Sequence, residues 1–325
     1  MELICPAGTP AAHRAAVDAG ADAVYCGFRD ETNARNFPGL NFSRGELSEA
    51  IAYGHAQQVK TLVAINTFPR AGDTDLWQRA VDDAVALGAD ALILADVGLL
   101  DYAARVHPDQ RLHLSVQAAA TNADSIRFFV EAFNVRRVVL PRVLSVPEIT
   151  AIAANASCEI EVFVFGGLCV MAEGRCSLSS YATGLSPNMN GVCSPASHVA
   201  YRKEGGALAS RLGDFTINRF EADEPAAYPT LCKGRFRVGE STGYVFEDPV
   251  SLDAAEVLPG LRDAGVVALK IEGRQRGRAY VETVVRSIRE TLATLEAGQP
   301  IRSTGLAAVT EGQSTTAGAY RKTWR

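Results

Sequence analysis

No stretch of this 325-residue chain is apolar for anything near the ~20 residues that a bilayer-spanning helix needs. Positive charge is also in short supply. There are 32 Lys and Arg against 37 Asp and Glu, and the resulting net charge of −5 offers no overall basic field for nucleic acid. The opening MELICPAG has neither a basic n-region nor a long apolar h-region, so no secretory leader is expected and a cytoplasmic, reducing location follows. In that setting seven cysteines, an odd number, do not read as a disulfide framework. Several catalytic signatures are missing as well: H-E-x-x-H, the G-x-S-x-G elbow, the P-loop and G-x-G-x-x-G. The five histidines are scattered, and a lone strand histidine such as His113 is ordinarily structural.

What is present is a repeated unit in which a Val/Ile/Leu-rich stretch ends in a small or polar residue and an amphipathic segment follows. Eight stretches read as strands: 2–8, 23–27, 60–66, 91–96, 111–118, 136–142, 159–166 and 266–274. Helical patterns lie between them at 9–20, 43–57, 73–88, 122–133 and 145–156, with a last strong one from about 278 to 296. Ser43, Asp73, Asn122 and Ser145 are placed as N-caps. Three helices end on the related phrases DAGADA, ALGADA and DAGVVA, in which Gly20, Gly88 and Gly265 suit the left-handed residue before the next strand. Eight βα units in some 300 residues predict a closed (β/α)8 TIM-type barrel rather than an open sheet.

The rhythm breaks once, between strands seven and eight. The division expected is a single barrel domain over 1–298, with 166–250 as an irregular metal-binding insertion and 299–325 as a polar tail that wraps or frays.

In a barrel, strand residues alternate between the helices and the lumen. On 111–117 the apolar set Leu112, Leu114 and Val116 faces the helices, which turns His113, Ser115 and Gln117 inward. The same parity turns Lys270, Glu272 and Arg274 inward, and Asn66, Asp96 and Arg142 end other strands. Barrel enzymes build their sites at these C-terminal strand ends, which makes Arg274, Glu272, Arg142, Gln117, Asp96 and Asn66 the candidate pocket residues. The charged trio reads equally well as a structural ion-pair plug, with a substrate role favoured for Arg274, nearest the mouth. No residue stands out as the catalytic acid or base.

The cysteines fall into two groups. Cys5, Cys26 and Cys158 sit in or beside strands, as small buried hydrophobes do. Cys169, Cys176, Cys193 and Cys232 all fall in the insertion, spaced C-x6-C-x16-C-x38-C among glycine, proline and serine. Four thiolates suit an iron–sulfur cluster or tetrahedral Zn2+. Zinc modules usually carry a C-x2–4-C knuckle, which is absent, so the spacing favours the cluster and keeps zinc as the alternative. A nucleophilic Cys169 or Cys176 lacks a nearby activating His or Lys in the sequence.

The run Glu161-x-Phe163-x-x-Gly166-x-Leu168-Cys169-x4-Gly174-x-Cys176-x-Leu178-Ser179 resembles the signature of the collagenase-like family called peptidase U32. It departs only at Gly167, where that pattern usually has Ser or Ala. ELICPAG and LKIEGR are similar to the family too, so the likeness spans about residues 1–300. The resemblance implies an O2-independent hydroxylase with a 4Fe-4S cluster on Cys169, Cys176, Cys193 and Cys232. Within the family the four-cysteine pattern looks most like the ubiquinone-biosynthesis member. That member implies a heterodimer with a homologous partner, acting on the aromatic ring of a polyprenylated quinone precursor. It further implies prephenate as oxygen donor and a lipid carrier protein as a route of substrate delivery. Arg274 and Arg142 would then grip the anionic donor, with Glu272 holding the cations in place. RNA-nucleobase hydroxylation is the alternative, disfavoured by the acidic balance and by a chain that ends soon after its barrel; a collagenase-like peptidase is the third reading.

Overall fold

The computed structural model describes residues 1–189, 191–301 and 303–321. Seven strands, β1 (Glu2–Pro6), β2 (Ala23–Cys26), β3 (Lys60–Ile65), β4 (Ala91–Leu94), β5 (Leu112–Leu114), β6 (Val135–Val139) and β7 (Glu159–Gly167), pair in parallel in chain order. Between them run α1 (Pro10–Asp18), α2 (Arg44–Ala56), α3 (Asp75–Ala86), α4 (Val97–Val106), α5 (Ala123–Phe133) and α6 (Val146–Ala153). Ser43 and Ser145 each cap a helix reciprocally with a glutamate three residues on, and Asn122 caps α5. Asp73 does not act as expected. Its N–H turns back to the Arg70 carbonyl (3.0 Å), and Thr74 takes the N-cap of α3 without a side-chain bond. Helix α4 has no counterpart among the expected helices.

The insertion is more regular than its composition suggests. After the short α7 (Leu178–Thr183), strands β8 (Val199–Glu204), β9 (Ala207–Leu212) and β10 (Phe215–Phe220) form an antiparallel meander, and β11 (Arg235–Val238) and β12 (Ser241–Tyr244) form a hairpin. The expectation of an irregular insertion fails because short, half-exposed strands carry little of the buried apolar pattern by which strands are recognised. Then β13 (Ser251–Asp253) pairs antiparallel with the end of β7, followed by α8 (Leu258–Asp263), β14 (Ala268–Ile271) and α9 (Arg278–Glu296). Strand β14 pairs in parallel with both β7 and β1, closing the eight-stranded barrel. The tail docks rather than frays: β15 (Thr315–Thr316) adds to β13, and the buried Tyr320 donates its hydroxyl to the Phe163 carbonyl (2.6 Å). Residues 322–325 lie outside the described residues. Among the described residues no helix is long and apolar enough to cross a membrane.

Two packed regions result. The large one lies between strands and helices, where Leu3, Val63, Leu92 and Leu269 meet Val81, Leu100 and Ile288. The small one fills the lumen with Ile4, Tyr25, Leu62 and Ile93 among the alanines 23, 64, 91 and 268. Gly20, Gly88 and Gly265 all take positive φ, as the repeated helix-ending phrases require.

Below the mouth the lumen holds charge. Glu161 is fully buried and accepts from Lys270 (2.7 Å) and Arg137 (3.4 Å), while Arg137 also meets Glu2 (2.6 Å) and Glu159. The Lys270 ammonium lies 3.9 Å from the centre of the Tyr25 ring. Removing one partner strands a charge without water. Glu161→Ala is therefore expected to lower unfolding free energy by about 3–5 kcal/mol in urea titration, and the double change Glu161→Met with Lys270→Met to recover most of that loss.

Candidate functional site

The C-terminal ends of the barrel strands surround a cavity of about 50 Å³, lined by Tyr25, Asn66, Ser115, Val116, Gln117, Lys270, Glu272 and Arg274, among others. The expected alternation holds along 268–274 but stops in β5. That strand ends at Leu114, and a 3-10 turn over Val116–Ala118 brings Val116 to the cavity together with Ser115 and Gln117, while Val116 also stays in the strand–helix core. Asp96 is not in this lining; its carboxylate accepts the Leu99 N–H (2.9 Å) and caps α4. Asn66 orders the neighbouring loop, accepting from Ala34 N–H (2.9 Å) and donating to Ser115 Oγ (3.2 Å).

The cations at the mouth have different partners. Arg142 is buried, bonded through Nε to Glu173 (2.8 Å) and through Nη1 to the Gly167 carbonyl, with its guanidinium 4.2 Å from the Phe163 ring centre. Burial alone would lower its pKa, but Glu173, Cys169 and Glu272 raise it, so it stays charged. Glu272 does not hold Lys270 or Arg274. It faces Arg35 (3.4 Å) and accepts the Gly167 N–H (3.1 Å). Burial would raise its pKa, yet Arg35, Arg142 and that N–H outweigh burial and keep it below the usual carboxylate range. Arg274 donates to Asn33 Oδ1 (3.2 Å) and lies 5.6 Å from the Tyr25 ring centre.

A second cavity, of about 190 Å³, adjoins the first and shares Arg35, Gln117, Arg142 and Glu272 with it. Cys169, Cys176, Cys193 and Cys232 all line it. Strand β7 delivers Cys169 just past its end, and Gly174 lets the next turn lie against the barrel. At φ +78°, a Cβ there would fall 1.8 Å from the Gln117 carbonyl oxygen. The Cys176 carbonyl accepts from Asn188 (3.0 Å), and Ser179 Oγ donates to the Cys193 carbonyl. The Cys193 and Cys232 segments are joined through Ser194, whose Oγ donates to the Pro229 carbonyl (2.6 Å) and whose carbonyl accepts from Tyr228 (2.8 Å).

Burial pushes the Cys169 and Cys232 thiols up to about 12 and raises Cys193 as well, although Arg35 opposes the rise at Cys193. Cys193 is exposed toward the cavity even though protein surrounds it closely. Among the described residues no three His, Cys, Asp or Glu side chains are gathered as a ready single-ion site, and all four thiols line the one cavity. As a donor set, four thiols lining one cavity are of the kind that an iron–sulfur cluster or tetrahedral Zn2+ takes. Cys5 and Cys26 are buried in the barrel wall and Cys158 lies partly buried at the far end of β7, away from this cavity.

Arg35, Asn33 and Glu173 were not among the residues picked out by the sequence. The first two lie in the β2–α2 loop and the third between two cysteines, none of them on a strand. The signal that reaches Arg35 and Asn33 is position alone: they follow the C-terminal end of a barrel strand, where loops build the site.

The sequence profile of peptidase family U32 matches residues 8–319. The chain is 32% identical to tRNA hydroxylation protein P of Escherichia coli K12, over 96% of this chain and 72% of that protein. It is 30% identical to the 23S rRNA 5-hydroxycytidine C2501 synthase of the same organism, over 90% of this chain and 39% of the relative. A protein named collagenase from Porphyromonas gingivalis is 28% identical over 90% of this chain and 65% of its own length. With a profile match across nearly its full length, this (β/α)8 barrel belongs to the peptidase U32 family.

Proposed function

We propose that this chain is the iron–sulfur component of an O2-independent hydroxylase that acts on the aromatic ring of polyprenylated ubiquinone precursors in the cytoplasm. In this reading it works beside a homologous partner, takes prephenate as oxygen donor and receives its lipid substrate from a carrier protein. The observation that carries the hydroxylase reading is the shared wall: the cavity of the four thiols and the cationic barrel mouth have Arg35, Gln117, Arg142 and Glu272 in common. Relatives named for hydroxylation of tRNA and of a 23S rRNA cytidine support the reaction class. The quinone ring as substrate rests on the four-cysteine pattern and the acidic net charge of −5. The names of those relatives favour the second reading, hydroxylation of an RNA nucleobase.

Cys169, Cys176, Cys193 and Cys232 would hold the cluster, which supplies iron chemistry beside the pocket when bound. The spacing of the four cysteines, without a C-x2–4-C knuckle, favours a cluster over zinc. The chain's own residues position those cysteines. Arg142 fixes the start of the cysteine-bearing segment through the Gly167 carbonyl and Glu173, and Arg35 reaches the Gly191 carbonyl (3.2 Å), two residues before Cys193.

After anaerobic reconstitution the protein is expected to carry about four irons per chain, bleached by air. Cys169→Ala, Cys176→Ala, Cys193→Ala and Cys232→Ala should each lower bound iron, while Cys5→Ala, Cys26→Ala and Cys158→Ala leave it unchanged. Stoichiometric zinc without iron would sink the proposal. Arg142→Ala is expected to cut retained iron, because its two anchors hold the segment before Cys176; unchanged iron would remove that role.

Deleting the gene should abolish ubiquinone synthesis under anoxia and spare it in air. Normal anaerobic quinone with loss of an RNA hydroxylation would establish the second reading instead. Iron-independent cleavage of denatured collagen by the purified protein would point to peptidase activity.

A further inference from the structure

Four cations line the smaller cavity, and among the described residues one of them has no carboxylate partner. Lys270 is matched by Glu161 at 2.7 Å, Arg142 by Glu173 at 2.8 Å and Arg35 by Glu272 at 3.4 Å. Arg274 is only 4% exposed, and among the described residues no carboxylate lies within ion-pair distance of it. Burial and the neighbouring Arg35 push its pKa down to about 10, which still leaves it charged at neutral pH. A buried charge without a counter-ion is costly, and such a charge facing a cavity is ordinarily completed by a ligand.

The cavity it faces is small. Its volume of about 50 Å³ has room for a few waters or one carboxylate group, but not for a six-membered ring. Gln117 also lines it, and its side-chain amide carries an NH2 that can donate to an anion. Ser115 and Asn66 add polar groups to its lining.

We infer that Arg274, with Gln117 beside it, forms a seat for a single carboxylate inside the barrel mouth, and that the rest of any larger ligand stays outside in the cysteine-lined cavity. The guanidinium fork matches a carboxylate through two parallel bonds. Calling the seated group an arm of the oxygen donor rests on the hydroxylase reading; the seat itself rests on Arg274, the cavity and the missing counter-charge.

The test needs no turnover, so failure of the hydroxylase reading and failure of the seat are separate results. Formate and acetate should raise the Tm of the full-length protein saturably at constant ionic strength, whereas chloride should not. On the wild-type protein, 13C-formate should show saturable line broadening that acetate reverses. Arg274→Gln should lose both responses. Its anion-free Tm should match or exceed that of wild type, because the change removes an uncompensated buried charge, and Asn33 Oδ1 keeps the Arg35 N–H at 3.0 Å.

Phenylpyruvate, whose ring is too large for the seat, separates the two sources of carboxylate. Half-saturation at least tenfold below that of formate marks the arm of a larger ligand, and no response marks a free small carboxylate. Absence of formate binding to wild type, a formate response that survives Arg274→Gln, or a lower anion-free Tm in that variant would each overturn the seat.

Discussion

The carboxylate of Glu272 carries the junction between barrel and insertion. One oxygen faces the Arg35 guanidinium and the other accepts the Gly167 N–H, so three stretches far apart in sequence meet on one side chain. Because Arg35 also donates to the Gly191 carbonyl, the segment leading to Cys193 hangs from the same group. Burial works against a charged carboxylate here, and the cations around it reverse that outcome. The placement of the thiols thus depends on an electrostatic balance at a strand end, as well as on the loops that carry the cysteines.

That balance belongs to a wider pattern of charge within the lumen. Small residues line much of the barrel interior, which leaves space that Arg137, Glu161 and Lys270 occupy as a paired network reaching up to the mouth cavity. Higher up the same device recurs with Arg142 and Glu173. Replacing such pairs by apolar side chains often costs a fold little, so their presence is better explained by orientation than by stability. Each pair fixes a side chain or a backbone carbonyl at an angle that a packed leucine would not specify.

The family's barrel serves proteins with different names, from RNA hydroxylation to collagenase. A barrel restricts where a site is built, at the C-terminal strand ends, without dictating the chemistry performed there. In this chain the segment between β7 and β14 returns to the barrel through β13 and brings four thiols to the rim. The docked tail completes that side, as Tyr320 reaches the Phe163 carbonyl beneath Arg142.

The sequence by itself determined the eight-stranded barrel, most of its helix caps and the two classes of cysteine, because these depend on local periodicity and residue type. Ser43 and Ser145 cap their helices with a glutamate three residues away, and the strand at 268–271 shows its inward face through simple alternation. The same alternation ended before Val116, where a 3-10 turn replaced the strand and let that side chain touch both the core and the cavity, and the weak pattern at 199–220 concealed a three-stranded sheet. Only the tertiary structure decided how the charges pair. Arg35 and Glu272 are 237 positions apart, and Lys270 and Glu161 are 109 apart. Nothing local distinguishes Arg142, which is committed to Glu173, from Arg274, which has no carboxylate within reach among the described residues. Pairing is a property of distance through space, and closure of the barrel sets those distances.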